Sequence, residues 1–240
     1  MKNSMKGKTV LVVVAHPDDA EFGAAGTVAK WVGEGATAYY VICTSGNRGS
    51  RHHQIDQEKL VEARKKEQLS AAKILGVKEV FFLDHEDGNL VADINFKEEI
   101  VKLIRKLKPD AVFTHDPTWV YRVNEDGTAF INHNDHRETG LATVDAVYPL
   151  ARDLASFPHH QDEGLAPHKV PELYLFHIDQ PNFYVDITEV LGTKLRALKV
   201  HKSQFDDPKS IGKFLKRMSA EIGKKAGFKY AEGFIKLTLR

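Results

Sequence analysis

The chain has 240 residues, of which 42% are hydrophobic and 28% charged, a composition typical of globular proteins. A chain of this length buries roughly three quarters of its unfolded surface, so its core needs no disulfide. Lys plus Arg number 34 and Asp plus Glu number 33, and this balance excludes a general attraction to nucleic acid or anionic lipid.

Two features indicate a cytoplasmic protein. Cys43 is the single cysteine, lies in the apolar run YYVICT and cannot form an internal disulfide, which suits a reducing compartment. The apolar run TVLVVVAH near the amino terminus meets His16 and Pro17 too soon to be a signal peptide or a membrane span. We therefore expect a cytoplasmic chain without a membrane partner.

Strand and helix patterns alternate through the first half of the chain. Residues 10–15 form an apolar, largely β-branched run, as in a strand buried on both faces, and a helix pattern follows at 25–32. The alternation continues with a strand at 38–44, a charged helix at 56–75 and a strand at 80–83. A helix at 96–107 and a fourth buried strand at 110–114 follow. Right-handed crossovers between such strands predict a three-layer, Rossmann-like α/β fold with a mostly parallel sheet.

Parallel sheets of this kind bind ligands beyond the carboxyl ends of their strands. Polar segments stand at that place after each of the four strands: AHPDD, TSGNRGS, DHEDGN and THDPTW. We therefore expect the active site at the carboxyl ends of the strands, with these segments carrying the chemistry.

The second half of the chain is less regular. The sequence predicts a polar loop at 115–132, a helix at 134–154 and an irregular stretch rich in Pro and His at 157–171. Two short strands are predicted at 172–177 and 183–187, and a charged helical region follows up to Gly227. No repeat or linker interrupts these segments, so we expect one domain over residues 1–240.

The segment HPDD, residues 16–19, places an imidazole and two carboxylates directly after the first strand. Pro17 keeps the backbone from entering the helix at once, so the turn can aim His16 and Asp19 at one point. Asp18 and Asp19 are also suitable helix N-caps, but that role alone leaves His16 at the end of a buried strand without a partner.

The segment HNDH, residues 133–136, places two histidines three apart at a predicted helix start, where they share a face. Alone, such histidines are more often solvated than bound to metal. Together with HPDD they supply two imidazoles and one carboxylate, the usual composition of a hydrolytic zinc centre with a position left for water. The predicted metal ligands are His16, Asp19 and His136.

In their order and separation, these motifs resemble the PIG-L/LmbE-like deacetylases. The resemblance rests on AHPDDAEFGAAGT, THDP, HNDHRETG and HKSQ, and it extends from residue 8 to about residue 205. The family includes N-acetylglucosaminyl-phosphatidylinositol deacetylases, deacetylases of the mycothiol and bacillithiol pathways, and chitooligosaccharide deacetylases. The resemblance implies a metal-dependent hydrolase that removes the N-acetyl group from an N-acetylglucosamine-type amino sugar or its glycoside.

The resemblance also implies roles for individual residues. Zn²⁺, or alternatively Fe²⁺, would be held by the three ligands named above. Asp18 would be the general base toward the attacking water, and His133 would stabilise the oxyanion or protonate the leaving amine. Asp135 would not bind the metal itself but would contact one of the histidines and orient its ring.

Arg48 stands next to glycine in TSGNRGS, and the resemblance places a substrate-binding basic residue there. A guanidinium offers a planar fork to sugar hydroxyls, carboxylates or phosphates. The chain departs from the family at Asn134, where the second box usually carries proline, so this turn is less restrained. Ile131 and Asn132 offer no Tyr or Arg for the oxyanion.

Five further residues stay outside the predicted catalytic set. Asp87 and His115 follow strands and suit turns or supporting contacts. His201 in HKSQ suits a helix end, where a protonated imidazole complements the helix dipole. The pair His159–His160 is predicted to be a solvated wall of the cleft.

Several alternatives remain beside the deacetylase interpretation. A nucleotide-binding Rossmann module is disfavoured because GAAG does not have the G-x-G-x-x-G spacing, and a zinc peptidase because HExxH is absent. A deacylase or amidase for another small N-acyl substrate, and a non-catalytic sugar-binding member of the fold, stay open. The resemblance further suggests a closed homo-oligomer.

Overall fold

A computed structural model describes residues 5–49, 56–123, 126–176 and 180–240, with only the backbone of Pro208. The strands are β1 (Thr9–Val14), β2 (Thr37–Thr44), β3 (Glu79–His85), β4 (Ala111–His115), β5 (Tyr121–Val123), β6 (Ala129–Ile131), β7 (Glu172–Phe176), β8 (Phe183–Asp186) and β9 (Ala231–Thr238). The α-helices are α1 (Asp19–Gly23), α2 (Ala25–Gly33), α3 (Gln57–Leu75), α4 (Ile94–Leu107), α5 (Asn134–Asp145), α6 (Leu191–Leu198) and α7 (Pro208–Ala226). Within these ranges no helix is long and apolar enough to cross a membrane.

Seven strands form one sheet in the order β3-β2-β1-β4-β7-β9-β8, and β5 with β6 forms a separate hairpin. β1 pairs in parallel with both β2 and β4, while β3 and β7 extend the parallel part. β9 runs antiparallel to both β7 and β8. The predicted mostly parallel α/β sheet is thus confirmed. β2 and β3 lie on one side of β1, and the chain then crosses over to place β4 on the other side. The carboxyl ends of β1 and β4 therefore flank the crevice where such folds bind ligands.

The side chains of β1 alternate between two apolar layers, as the pleat of a strand requires. Val12 packs in a layer with residues of α1, α2 and α6. Leu11 packs in the opposite layer with residues of α4 and α5. Helices therefore cover both faces of the sheet, as predicted for a three-layer fold, and polar side chains collect at its carboxyl edge.

The structure differs from the sequence predictions in three segments. The helix expected over 134–154 ends at Asp145, and the backbone kinks within the next segment, Ala146–Leu150. Tyr148 is extended there, with φ of −146° and ψ of 119°, as is usual for a residue before proline. The predicted loop at 115–132 contains the hairpin of β5 and β6. The strand β9 was not predicted, and residue 177 of the predicted strand at 172–177 lies outside the described residues.

A buried ion pair holds β9 against the helices. The Glu232 carboxylate lies 2.5 Å from Lys194 Nζ, and it accepts hydrogen bonds from the backbone N–H groups of Gly26 and Thr27 at the start of α2. The Thr27 hydroxyl also donates to Glu232, at 2.6 Å. This carboxylate therefore satisfies helix donors that have no partner within the helix.

Candidate active site

The turn between β1 and α1 holds His16 and Asp19 together. The His16 backbone N–H donates to Asp19 Oδ2 at 2.8 Å, and the same oxygen lies 3.3 Å from His16 Nδ1. Both side chains are buried. Asp18 occupies the N-cap position of α1, but its side chain makes no capping hydrogen bond, so capping does not account for it.

His136, in the first turn of α5, completes a group that could hold a metal ion. Its Nε2 lies 3.2 Å from Asp19 Oδ1, and the ligand atoms of His16, Asp19 and His136 lie within 4.8 Å of one another. Donors about 2.1 Å from a tetrahedral zinc ion are roughly 3.4 Å apart, so these N–O separations fit such an ion. Two imidazoles and one carboxylate also match its preferred donors.

Two carboxylates lie behind His16. Asp135 Oδ2 and Asp87 Oδ1 stand 3.3 and 3.2 Å from His16 Nε2, which leaves Nδ1 facing Asp19. Backbone N–H groups of Gly88 and Leu90 donate to Asp135 and fix its position. Burial alone would lower the pKa of His16, but contacts with these carboxylates and Asp19 raise it well above its ordinary value.

His115, at the end of β4, belongs to the same cluster. Its Nε2 accepts the backbone N–H of Ala15 at 3.2 Å and lies 3.3 Å from Asp19 Oδ2. The ring stacks on His136 with centroids 4.2 Å apart. Burial, together with the neighbouring His136, lowers the pKa of His115 to about 4. It is therefore a neutral ring, and it holds His136 against the sheet without electrostatic repulsion.

His133 is the N-cap of α5, and its Nδ1 accepts the backbone N–H of Asp135 at 3.1 Å. The neutral ring consequently carries its proton on Nε2. Its centroid lies 4.8 Å from that of His16, and the residue is exposed. Burial of part of the ring and the nearby His16 lower its pKa. The ring therefore stands at the open side of the cluster.

Asp18 adopts a left-handed backbone conformation, with φ of 99°. Its Oδ1 lies 3.5 Å from Nη2 of the buried Arg64. Burial raises the pKa of Asp18 to about 6, although Arg64 opposes this change. A carboxyl group with a pKa in this range exchanges protons readily near neutral pH.

Arg48 lies on the rim next to these residues. Its backbone N–H donates to Asp87 Oδ2, while Asp87 Oδ1 faces His16. The guanidinium forms an ion pair with Glu86, with Nη2 and Oε1 2.5 Å apart, and both side chains are about half exposed. Ser50 of the predicted TSGNRGS loop lies outside the described residues.

The interpretation of two histidine segments is corrected. His201 does not serve a helix dipole: it is fully buried, and its Nε2 lies 3.2 Å from Glu21 Oε2. His160 is not part of a solvated wall, because it is fully buried and its Nδ1 accepts from Arg105 Nη1. Its Nε2 therefore carries a proton directed at Glu98, so it cannot bind metal although it lies within a His/Glu group.

Comparisons with known proteins identify the family of this chain. Residues 11–147 match the family PIG-L, described as GlcNAc-PI de-N-acetylase, and this match covers more than half of the chain. The chain belongs to the PIG-L family.

Individual relatives match most of the chain. The diacetylchitobiose deacetylase of Thermococcus kodakarensis is 32% identical over 94% of this chain and 82% of its own length. A probable N-acetyl-α-D-glucosaminyl L-malate deacetylase of Bacillus cereus is 30% identical over 81% of this chain and 83% of its own. The structure of the N,N′-diacetylchitobiose deacetylase of Pyrococcus horikoshii with an inhibitor superimposes with a TM-score of 0.88, at 32% identity, covering 99% of this chain and 86% of that one.

Five of the predicted site residues lie in one cluster. Two further residues, which the sequence analysis left outside the catalytic set, belong to the same cluster. The five are His16, Asp19, His133, Asp135 and His136. His115 and Asp87 are the omitted members, although THDP and EDGN stand at strand ends just as HPDD does. That shared position is the signal that could have identified them.

We expect purified protein to hold about one equivalent of metal per chain, and His136→Ala to hold less than about a tenth of one, because one of three protein ligands is lost. Elemental analysis by mass spectrometry after reconstitution with Zn²⁺ measures this. His159→Ala is the control, because its side chain is 56% exposed and belongs to the other His/Glu group. Wild-type protein that stays free of metal would contradict the assignment.

Proposed function

We propose that this protein is a metal-dependent hydrolase that removes the acetyl group from an N-acetylglucosamine-type amino sugar. The observation that carries the proposal is a three-donor metal group, His16, Asp19 and His136, with Asp18 directly beside it. A carboxylate next to the metal donors, but outside their group, can accept a proton from water. Membership of the PIG-L family supports the same reaction.

We assign the three donors to Zn²⁺, with Fe²⁺ as the alternative ion. When bound, such an ion polarises the amide carbonyl and makes water a better nucleophile near neutral pH. Asp18 accepts the proton of the attacking water, whose oxygen bonds to the acetyl carbon. The C–N bond then breaks and acetate is released. His133 stabilises the oxyanion through its Nε2–H or, after it gains a second proton as the imidazolium, gives a proton to the leaving amine. Asp135 lies beside His16 Nε2 and orients the ring, so that His16 Nδ1 is available to bind the metal.

The rim supports an uncharged glycoside as substrate. Arg48 is the proposed sugar-binding residue, but its charge is balanced by Glu86, which also accepts from Asn89 Nδ2 at 2.6 Å. A balanced ion pair attracts an anionic substrate less than a free guanidinium does. We therefore favour diacetylchitobiose or a related oligosaccharide over an N-acetylglucosaminyl malate. Another small N-acyl compound is the alternative substrate.

The proposal includes one domain over residues 1–240 and a cytoplasmic location. One seven-stranded sheet with apolar layers on both faces supports the single domain. The buried free thiol of Cys43 is compatible with a reducing compartment.

We also propose a homo-oligomer, formed through the hairpin of β5 and β6. Tyr121, Phe130 and Ile131 are 66%, 69% and 76% exposed. Tyr121 pairs with Ile131, so these two side chains share one face of the hairpin, and Phe130 points to the other face. Both faces therefore present apolar side chains to solvent. An isolated two-stranded hairpin is marginally stable in water, and a second copy of the chain would cover these side chains.

We expect Asp18→Asn to lower the rate of acetate release from N,N′-diacetylchitobiose by about 10²-fold to 10⁴-fold, because the proton acceptor is lost. Metal content should stay at the wild-type value. Asp84→Asn is the matched control, because Asp84 also has a left-handed backbone, with φ of 58°, and its side chain is 50% exposed. Equal rates for Asp18→Asn and wild type would refute the assigned role.

We expect Glu86→Gln to raise the kcat/KM for N-acetylglucosaminyl malate relative to diacetylchitobiose by about 5-fold, because one exposed charge interaction is worth about 1 kcal/mol. Steady-state acetate release from both substrates gives this ratio. Glu163→Gln, which removes the exposed partner of Lys102, should leave it unchanged. An unchanged ratio in Glu86→Gln would mean that the rim does not select by charge.

We expect the wild type to have a molar mass in light scattering that is a multiple of the chain mass, and Tyr121→Ser/Phe130→Ser to have a lower one. The apolar area that drives association is removed in that variant. Phe214→Ser alters an exposed aromatic side chain of α7 and should keep the wild-type mass. A monomeric wild type would exclude the oligomer.

A further inference from the structure

The backbone of Asp18 requires support from its surroundings. A left-handed conformation in a residue other than glycine costs about 1–3 kcal/mol, and it persists only where neighbouring groups hold it. The Asp18 N–H donates to Gln68 Oε1 at 3.0 Å. The preceding carbonyl, of Pro17, accepts from Arg64 Nη2 at 2.6 Å. Both supporting side chains come from α3 and are buried.

Gln68 can present its oxygen to Asp18 in only one orientation. Its Nε2 lies 3.2 and 3.4 Å from the two carboxylate oxygens of Glu21, so the amide group is held between a donor and an acceptor. Rotation by 180° would place the amide oxygen against the Glu21 carboxylate and the NH₂ group against the Asp18 N–H. The residue is fully buried, so water cannot compensate for such mismatches.

Glu21 lies directly against His201. Its Oε2 lies 3.2 Å from His201 Nε2, and both residues are fully buried. Burial alone would lower the pKa of His201, but Glu21 and the more distant Asp18 raise it. The contact with His201 places the Glu21 carboxylate between this imidazole and the amide group of Gln68.

The segment HKSQ anchors His201 at this place. The Ser203 backbone N–H and hydroxyl both donate to Glu67 of α3, at 2.9 and 2.6 Å. Gln204 Nε2 donates to the carbonyl of Gly49 at 3.0 Å. The chain after α6 is thereby fixed to α3 and to the loop that carries Arg48.

We infer that Gln68, Glu21 and His201 form a buried relay of positioning residues that holds the Asp18 backbone and so aims its carboxylate. The inference rests on the proposed function, because Asp18 is the proton acceptor there. The three residues come from α3, α1 and the segment after α6, and they reach Asp18 through the hydrogen bond to its N–H. Displacement of a reacting group by about 1 Å can cost 10²-fold in rate, so this relay controls kcat.

The test removes the relay and then rebuilds it with exchanged partners. Gln68→Met keeps the side-chain length and loses both polar contacts. Gln68→Glu brings two buried carboxylates together. The double variant Glu21→Gln/Gln68→Glu exchanges carboxylate and amide, so that an acceptor oxygen again faces Asp18 and an N–H again joins the two positions. Recovery in the double variant measures the coupling directly.

We expect both single variants at position 68 to lose about 10-fold to 100-fold in kcat for diacetylchitobiose, with KM and metal content near the wild-type values. The double variant should recover most of this loss. Hydrogen exchange followed by NMR should show the Asp18 amide exchanging at least about 10-fold faster in Gln68→Met, because its acceptor is missing. Thr27→Val, which removes one buried hydrogen bond to Glu232, is the stability control and should keep the wild-type kcat.

The possible outcomes distinguish a failure of the relay from a failure of the proposed deacetylase reaction. An unchanged kcat in Gln68→Met, or a loss no greater than that of an equally destabilised control, overturns the inference. If the wild type releases no acetate from any tested sugar, the proposed function fails. Hydrogen exchange of the Asp18 amide still tests the relay in that case. If this amide exchanges as slowly in Gln68→Met as in the wild type, the relay is refuted.

Discussion

The carboxylate of Asp19 is the contact on which the candidate site depends. It accepts the His16 backbone N–H and lies 3.3 Å or less from ring nitrogens of His16, His115 and His136. These histidines follow β1, end β4 and begin α5. Burial would raise the pKa of Asp19, but the neighbouring His136 holds it well below its ordinary value. One ionised carboxylate thus connects three segments that meet only in the folded chain.

The order of the strands explains why the contact is possible. β1 stands between β2 and β4, so the ends of β1 and β4 are adjacent although 100 residues separate Ala15 from His115. Asp135 and Asp87 then close the cluster from the side of α5 and of the loop after β3. Buried charges are stable only when they are paired, and here every carboxylate of the cluster faces an imidazole or a backbone donor.

The helix α3 contributes more than a cover for the sheet. Arg64 and Gln68 point inward and hold the carbonyl of Pro17 and the N–H of Asp18. Glu67 of the same helix receives Ser203. The geometry of the turn after β1 therefore depends on a helix layer as well as on the strand end. In the sequence, α3 appeared only as a charged helix, because charge alone does not distinguish a solvated side chain from a buried one.

Local spacing was enough to predict the parallel sheet and the two motifs that hold His16, Asp19 and His136, since these features depend on residues close together in the chain. Asp87, His115 and His201 were left out because their partners, His16, Asp19 and Glu21, lie far from them in the chain and meet them only in the folded protein. The same reason hid β9, whose partners β7 and β8 lie far back in the chain. Residue spacing determined the chemical groups available, while strand order and register decided which of them meet, because hydrogen bonds and ion pairs act only over a few ångströms.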